Sequence, residues 1–181
     1  MTHNKQRAII GLIISLAILS LFLIFIIINS VGDLRNTVTS RWYGGEYLGS
    51  DGVILQDKRQ NCGPAALLMV FEHFKIESSI KEIEEISGMT EIGTSMLGLK
   101  KVAETKGLQA EGWHYTREDF LSAPKPALLF VRGDHFVVAD SISINNSVYI
   151  RDPARGRYRI SLNRLHRIWK GETLIFIDST E

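Results

Sequence analysis

The amino-acid sequence predicts an α+β domain carried behind one membrane-crossing helix, and three observations lead there. Residues 9 to 29 read "IIGLIISLAILSLFLIFIIIN", with no charge until Asp33. Between Cys62 and Gly107, apolar residues recur at helical spacing inside capping signals. From Ala127 onward, short β-branched and aromatic runs alternate with turn residues. A helical half followed by a strand half is the pattern of helices packed on an antiparallel sheet.

The N-terminal run is long enough, as a helix, to span ~30 Å, about the thickness of a bilayer's hydrocarbon core. A cleavable signal peptide has a shorter apolar region and a small-residue cleavage site. The following "NSVGDLRNTVTSRW" has no such site. Residues 1–8 are therefore read as a short basic tail, 9–29 as a transmembrane anchor, 30–50 as a tether and 51–181 as one domain. Lys5 and Arg7 precede the anchor, whereas Asp33, Arg35 and Arg41 follow it. That bias predicts a cytoplasmic N-terminus and an extracytoplasmic domain.

Within the domain, "CGPAALLMVFEHF" reads as a helix whose Pro64 suits the first turn, where a missing N–H costs nothing. "SIKEIEEISG" is a short amphipathic helix closed by Gly88. "TSMLGLKKVAETKG" begins at a capping Thr94 or Ser95 and ends at Gly107 in a left-handed cap. "LQAEGWHY" reads as a strand, and "TREDFL" as a short helix with a capping box from Thr116 to Asp119. After Pro124 and Pro126 come the strands "ALLFVRG", "HFVVADSISI", "SVYIRD" and "RYRISL". Asn145-Asn146 and Arg155-Gly156 mark two of the turns. A helix near "NRLHRIWK" and a strand "TLIFID" follow.

The composition excludes several functions. A net charge of +1 and 45% apolar residues give no sign of a nucleic-acid surface or an acidic tail. One cysteine forms no internal disulfide, and no Cys/His cluster has zinc-ligand spacing. There is no phosphate-binding G-x-x-x-x-G-K-[ST] motif. Neither a metal nor an organic cofactor is implied.

The single cysteine, Cys62, stands at the polar entry of the helix "CGPAALLMVFEHF". A helix N-terminus favours a thiolate through its unpaired N–H groups and the positive end of the dipole. A small apolar residue would also be tolerated there, so position alone leaves both readings open. Lys58 and Arg59 would add positive potential. His135 opens the strand "HFVVAD" after the turn "RGD", and Asp152 ends the next strand. Symmetric pairing about Asn145-Asn146 places 135 opposite 155 or 156, with Asp152 a few residues along the ladder. A bulge would bring the two closer. A Cys, His and Asp so gathered form a nucleophile, a base and an orienting carboxylate. His73, His114 and His166 are weaker candidates by position.

The stretches "QDKRQNCGPAALLM", "GTSMLGLKKVAETKGLQA", "PALLFVRGDHFVV" and "VYIRDPARGRYRIS", in that order and spacing, resemble the bacteriocin-processing, double-glycine leader peptidase family. These are papain-like cysteine peptidases, often the N-terminal domain of peptide-exporting ABC transporters. The resemblance covers roughly residues 50 to 178 and implies a papain-like fold. It implies Cys62 as nucleophile, His135 as general base, Asp152 as orienting carboxylate and Gln56, rather than Gln60, as the oxyanion-hole glutamine. The residue before the nucleophile is often Asp in that family and is Asn61 here.

On this resemblance the chain reads as a stand-alone, membrane-anchored member without the transporter domains. It would cut after Gly-Gly in the leader of an exported peptide or small protein, and a separate exporter or secretion channel would be its partner. "SMLGLKKVAETKG" is a plausible wall for a leader helix. The alternatives are an inactive leader-binding domain, a transglutaminase or cell-wall amidase built on the same core, or a purely structural membrane protein, which would leave the order Gln56, Cys62, His135, Asp152 as coincidence. Gly44-Gly45 in "RWYGGEY" is ordinarily read as part of a flexible linker, with self-cleavage there as the alternative.

Overall fold

The computed structural model describes residues 2–42 and 45–177. The chain divides into two units, Met1–Thr39 and Ser40–Glu181. In the first, α1 (Thr2–Ser30) contains the 22-residue stretch Gln6–Ile27, mostly apolar and unburied, long enough to cross a membrane. Backbone bonding continues beyond α1, from the Val31 N–H to the Ile27 carbonyl and from the Arg35 N–H to the Val31 carbonyl. The expected tether therefore contains a second helix, α2 (Gly32–Trp42).

The second unit begins with a strand that its side chains do not announce. β1 (Glu46–Tyr47) is only two residues long and pairs with the sheet through its backbone. Then come α3 (Cys62–His73), α4 (Ile80–Ser87), α5 (Met96–Thr105), β2 (Gln109–His114), β3 (Ala127–Val131), β4 (His135–Ile142), β5 (Ser147–Asp152), β6 (Gly156–Ser161), α6 (Leu162–Ile168) and β7 (Trp169–Ile177). The seven strands form one antiparallel sheet in the order β1-β6-β5-β4-β3-β7-β2. The expected α+β class is the one observed.

The helices follow their caps. The Ser79 side chain accepts from the Glu82 N–H to start α4, and Gly88 at φ 66° ends it. Ser95, rather than Thr94, caps α5 by accepting from the Gly98 N–H. The segment "TREDFL" makes only a 3-10 turn, Asp119–Leu121, although Thr116 accepts from the Asp119 N–H as expected. Pro124 and Pro126 follow too closely for an α-helix to propagate. β7 starts at Trp169, earlier than the sequence pattern suggested, because Val131 of β3 pairs with Trp169.

Both sheet faces are covered. On one, Leu67, Val70 and Phe71 of α3, Ile83 of α4 and Leu99 and Val102 of α5 pack with Leu128, Val138 and Leu174. On the other, Leu162 and Leu165 of α6 and Phe120 pack with Val137, Ile150, Ile160 and Trp169. Each large side chain removed from water contributes roughly 1.5–3 kcal/mol. α5 lies close against α4 because Gly98 has no Cβ: one built there would fall 2.5 Å from the Ser87 carbonyl oxygen. Gly98→Ala is therefore expected to destabilise the protein by about 1–3 kcal/mol. Urea unfolding followed by circular dichroism measures it, with the slope of the transition unchanged.

Candidate active site

The site is assembled where the N-terminus of α3 meets the ends of β4 and β5. Cys62 is the first residue of α3 and is 6% exposed. The first regular helical bond runs from the Ala65 N–H to the Asn61 carbonyl. That leaves the N–H groups of Cys62 and Gly63 ahead of the ladder, Pro64 having none.

Asn61, the N-cap residue, makes no side-chain cap. Its side chain is instead fully buried and engaged elsewhere. The amide nitrogen donates to Asp57 and to Glu84, and its oxygen accepts from the Lys58 N–H. Lys58 pairs with Glu84 at 3.0 Å. The loop before the cysteine is thus fastened to α4, and no Asn61 side chain competes for the first-turn N–H groups. Gly63 is required by packing, since a Cβ there would meet Thr94 Cγ2 at 2.5 Å and Phe136 Cδ2 at 3.2 Å.

His135 opens β4, and its Nε2 lies 2.7 Å from Asp152 Oδ1. Asp152 is completely buried. Its Oδ1 also accepts from the Ala154 N–H at 2.8 Å, and its Oδ2 from Arg155 Nη1 at 3.3 Å. With Nε2 committed to the carboxylate, Nδ1 is the ring nitrogen left for the thiol.

The charges follow from these contacts. Burial opposes ionisation of Cys62. The hydrogen bond from His135, the Phe136 N–H, the His135 charge and the Gly63 N–H outweigh it and bring the thiol below its ordinary 9.0. Burial also lowers His135, but hydrogen bonds to Asp152 and to Cys62, with their charges, raise it from 6.5 to about 9. For Asp152 burial again opposes the charge, and His135, Arg155 and the Ala154 N–H hold the carboxyl below its usual range. The thiolate, imidazolium and carboxylate support one another, the condition a cysteine nucleophile needs near neutral pH.

A cleft of about 440 Å³ opens at Cys62, with Arg59, Gln60, Thr94, Phe130 and Phe136 in its walls. Its other rim is the loop Glu91–Gly93, closed by paired backbone bonds between Thr90 and Gly93. Ile92 at its tip is 97% exposed. The sequence reading passed over this loop, whose signal was an isoleucine set between Glu91 and Gly93 in "TEIGTS".

Gln56 stands differently from the other three. Its backbone N–H donates to the Pro153 carbonyl at 2.9 Å, next to Asp152. Its side-chain nitrogen donates to the Lys58 and Arg59 carbonyls at 2.8 and 3.1 Å, and its buried Oε1 has no partner. Gln60, set aside on the resemblance, lines the cleft itself.

His73 is edge-on to Phe74, His166 is edge-on to Trp169, and His114 lies against Gly171. None of these is among the groups that shift the Cys62 thiol. Among the described residues no group of three His, Cys, Asp or Glu side chains is placed to hold a metal ion.

The engagement of Asn61 gives a direct expectation. An aspartate at 61 would set a buried carboxylate against Asp57 and Glu84, so Asn61→Asp should cost about 3 kcal/mol of stability at neutral pH. Because protonation of the new carboxyl relieves the repulsion, the deficit should shrink as the pH is lowered toward 5. Thermal melts of both proteins across that range provide the check.

Comparison with known proteins agrees with this fold. An uncharacterised protein of Methanothermobacter marburgensis is 34% identical over 132 residues, covering 71% of this chain and 90% of its own length. The lactococcin-G-processing and transport ATP-binding protein of Lactococcus lactis is 28% identical over 128 residues. That match covers 67% of this chain and 18% of the transporter. The crystal structure of a double-glycine-motif protease from an AMS/PCAT transporter, in complex with the leader peptide, superposes with a TM-score of 0.65 at 30% identity. It covers 68% of this chain and 89% of that one. The sequence model of the Peptidase C39 family matches residues 50–181, and the chain, with its cysteine peptidase fold, belongs to that family.

Proposed function

We propose that this protein is a membrane-anchored cysteine endopeptidase that hydrolyses the peptide bond after Gly-Gly in the leader of an exported peptide or small protein. The observation that carries the reading is the buried chain of contacts from Cys62 through His135 to Asp152, opening on the cleft. The Cys62 thiolate attacks the carbonyl carbon of the second glycine. The Nδ1 proton of His135 passes to the leaving amine and leaves a thioester. Water, deprotonated by His135, then hydrolyses that thioester, releasing the peptide's carboxyl end and restoring the thiolate and the imidazolium.

The remaining N–H at the start of α3, that of Cys62, is the backbone donor for the tetrahedral oxyanion. The Gln56 amide serves as the second donor once it releases a loop carbonyl. A substrate with two glycines suits a cleft walled by Phe130, Phe136 and Thr94, because glycine carries no side chain to exclude. Exposed Ile92, and Leu97 at 75% exposure on α5, suit an apolar leader segment alongside. Residues 9–29 anchor the enzyme, and the balance of charge around them favours an extracytoplasmic domain served by a separate exporter.

Of the Gly44-Gly45 pair, Gly44 lies outside the described residues. Glu46, the residue that would follow a cut there, is paired with Arg159 in the sheet. Cleavage in the same molecule therefore requires β1 to leave β6.

The test uses the full chain in detergent micelles, its Cys62→Ala variant and a panel of Gly-Gly leader peptides, scored by mass spectrometry. Cleavage after the second glycine is expected for the parent and a loss of about 10³-fold or more for the variant. A parent that cuts no peptide and whose thiol reacts with iodoacetamide like an ordinary one would overturn the reading.

The pH dependence has a defined sign. Activity rises as Cys62 loses its proton below the ordinary thiol range, and falls as His135 gives up its proton near 9. A bell-shaped kcat/KM profile for the coupled pair, with its alkaline limb near 9, is expected from initial rates across pH.

A further inference from the structure

β4 and β5 are out of step by one residue. Nearest the turn, Ile142 faces Val148 and Ser141 faces Tyr149. Beyond it, Ala139 faces Ile150 and Val138 faces Arg151. Asp140 is the extra residue, a β-bulge. Continuing the register of the turn without it would bring Val138 opposite Asp152. Side chains alternate along a strand, so His135 and Asp152 would then stand on opposite faces of the sheet. The bulge puts them on the same face.

The apolar pattern does not select that register. Phe136 and Val138 are buried in one core cluster, Val137 and Ala139 in the other. A slip of one residue along β4 exchanges buried apolar positions for buried apolar positions, the situation in which register is weakly specified. A polar contact distinguishes the two alignments. Arg151 Nε lies 2.9 Å from both Asp140 carboxylate oxygens, and Nη2 lies 2.7 Å from Oδ1. Arg151 Nη1 reaches the carbonyls of Gly52 at 3.3 Å and of Met69 in α3 at 3.4 Å. The Arg151 side chain is only 13% exposed.

We propose that the Asp140–Arg151 ion pair is a positioning clamp that holds the β4 bulge and so keeps His135 aligned with Asp152 and Cys62. One guanidinium touches the bulge of β4, which carries His135, and a carbonyl of α3, which carries Cys62. It also belongs to the residue beside Asp152 in β5. The planar fork of arginine is what allows these contacts at once. Neither residue touches the thiol, so both act through the placement of the other three. The clamp rests on the peptidase reading above.

The experiment uses the full chain in detergent, with Arg151→Met, Arg151→Lys and Asp140→Asn variants. Three readouts are taken: kcat and KM on a Gly-Gly peptide the parent cuts, the pH profile of Cys62 alkylation by iodoacetamide, and the circular dichroism melt. For folded Arg151→Met, kcat should fall about 10²-fold while KM changes less than about twofold. Its alkylation profile should move to higher pH as the imidazolium is displaced. Arg151→Lys, which keeps the charge and loses the fork, should fall between the two.

If Arg151→Met does not fold, Asp140→Asn, at a side chain 27% exposed, carries the same expectation in smaller degree. Folded variants that keep the parent's alkylation profile overturn the clamp, whether or not their melting temperature drops. A parent that neither cuts nor shows an activated thiol overturns the peptidase reading, and the clamp with it. An activated parent thiol unchanged in the variants overturns the clamp alone.

Discussion

The hydrogen bond between His135 and Asp152 is the interaction on which the site depends. Asp152 is wholly buried and His135 nearly so, and neither charge would survive there alone. Together, with Arg155 and the Ala154 N–H closing the carboxylate's remaining positions, they make a charged pair that burial strengthens. That pair holds one ring nitrogen and leaves the other for Cys62.

The start of α3 supplies the second half of the design. A helix N-terminus is ordinarily quieted by a capping side chain, and Asn61 is a residue type that normally does this. Here its amide is occupied by Asp57 and Glu84, so the field of the helix remains directed at Cys62. The same contacts fasten the loop from Gln56 to Asn61 to α4. The loop therefore does two things with one network: it rigidifies the approach to Cys62 and leaves the N–H groups beside it available.

The sheet contributes rigidity at the cost of ambiguity. β4 is buried on both faces, which suits a central strand and makes it a poor guide to its own alignment. The information that fixes the alignment is held in polar side chains, Asp140 and Arg151, away from the thiol. A strand of alternating character would have needed no such pair.

Much of this was legible in the residues. The helices of "CGPAALLMVFEHF" and "SIKEIEEISG" and the strands from Ala127 onward follow from local signals, caps, turn residues and periodicity, whereas the grouping of Cys62, His135 and Asp152 rested on the hairpin about Asn145-Asn146 and on the family resemblance. β1 was not legible, because a two-residue edge strand is made by backbone bonds to β6 rather than by its side chains. Helix α2 lacked a strong amphipathic pattern. The commitment of Gln56 to the carbonyls of Lys58 and Arg59, and the cleft rim at Ile92, depend on how a loop closes in space. By itself the sequence determined most of the helices and strands of the domain and which residue types could do chemistry, since those are properties of neighbours along the chain. The tertiary structure alone decided that His135 and Asp152 share a face, because that turns on a one-residue bulge whose stabilising partner lies eleven residues away across a strand pair.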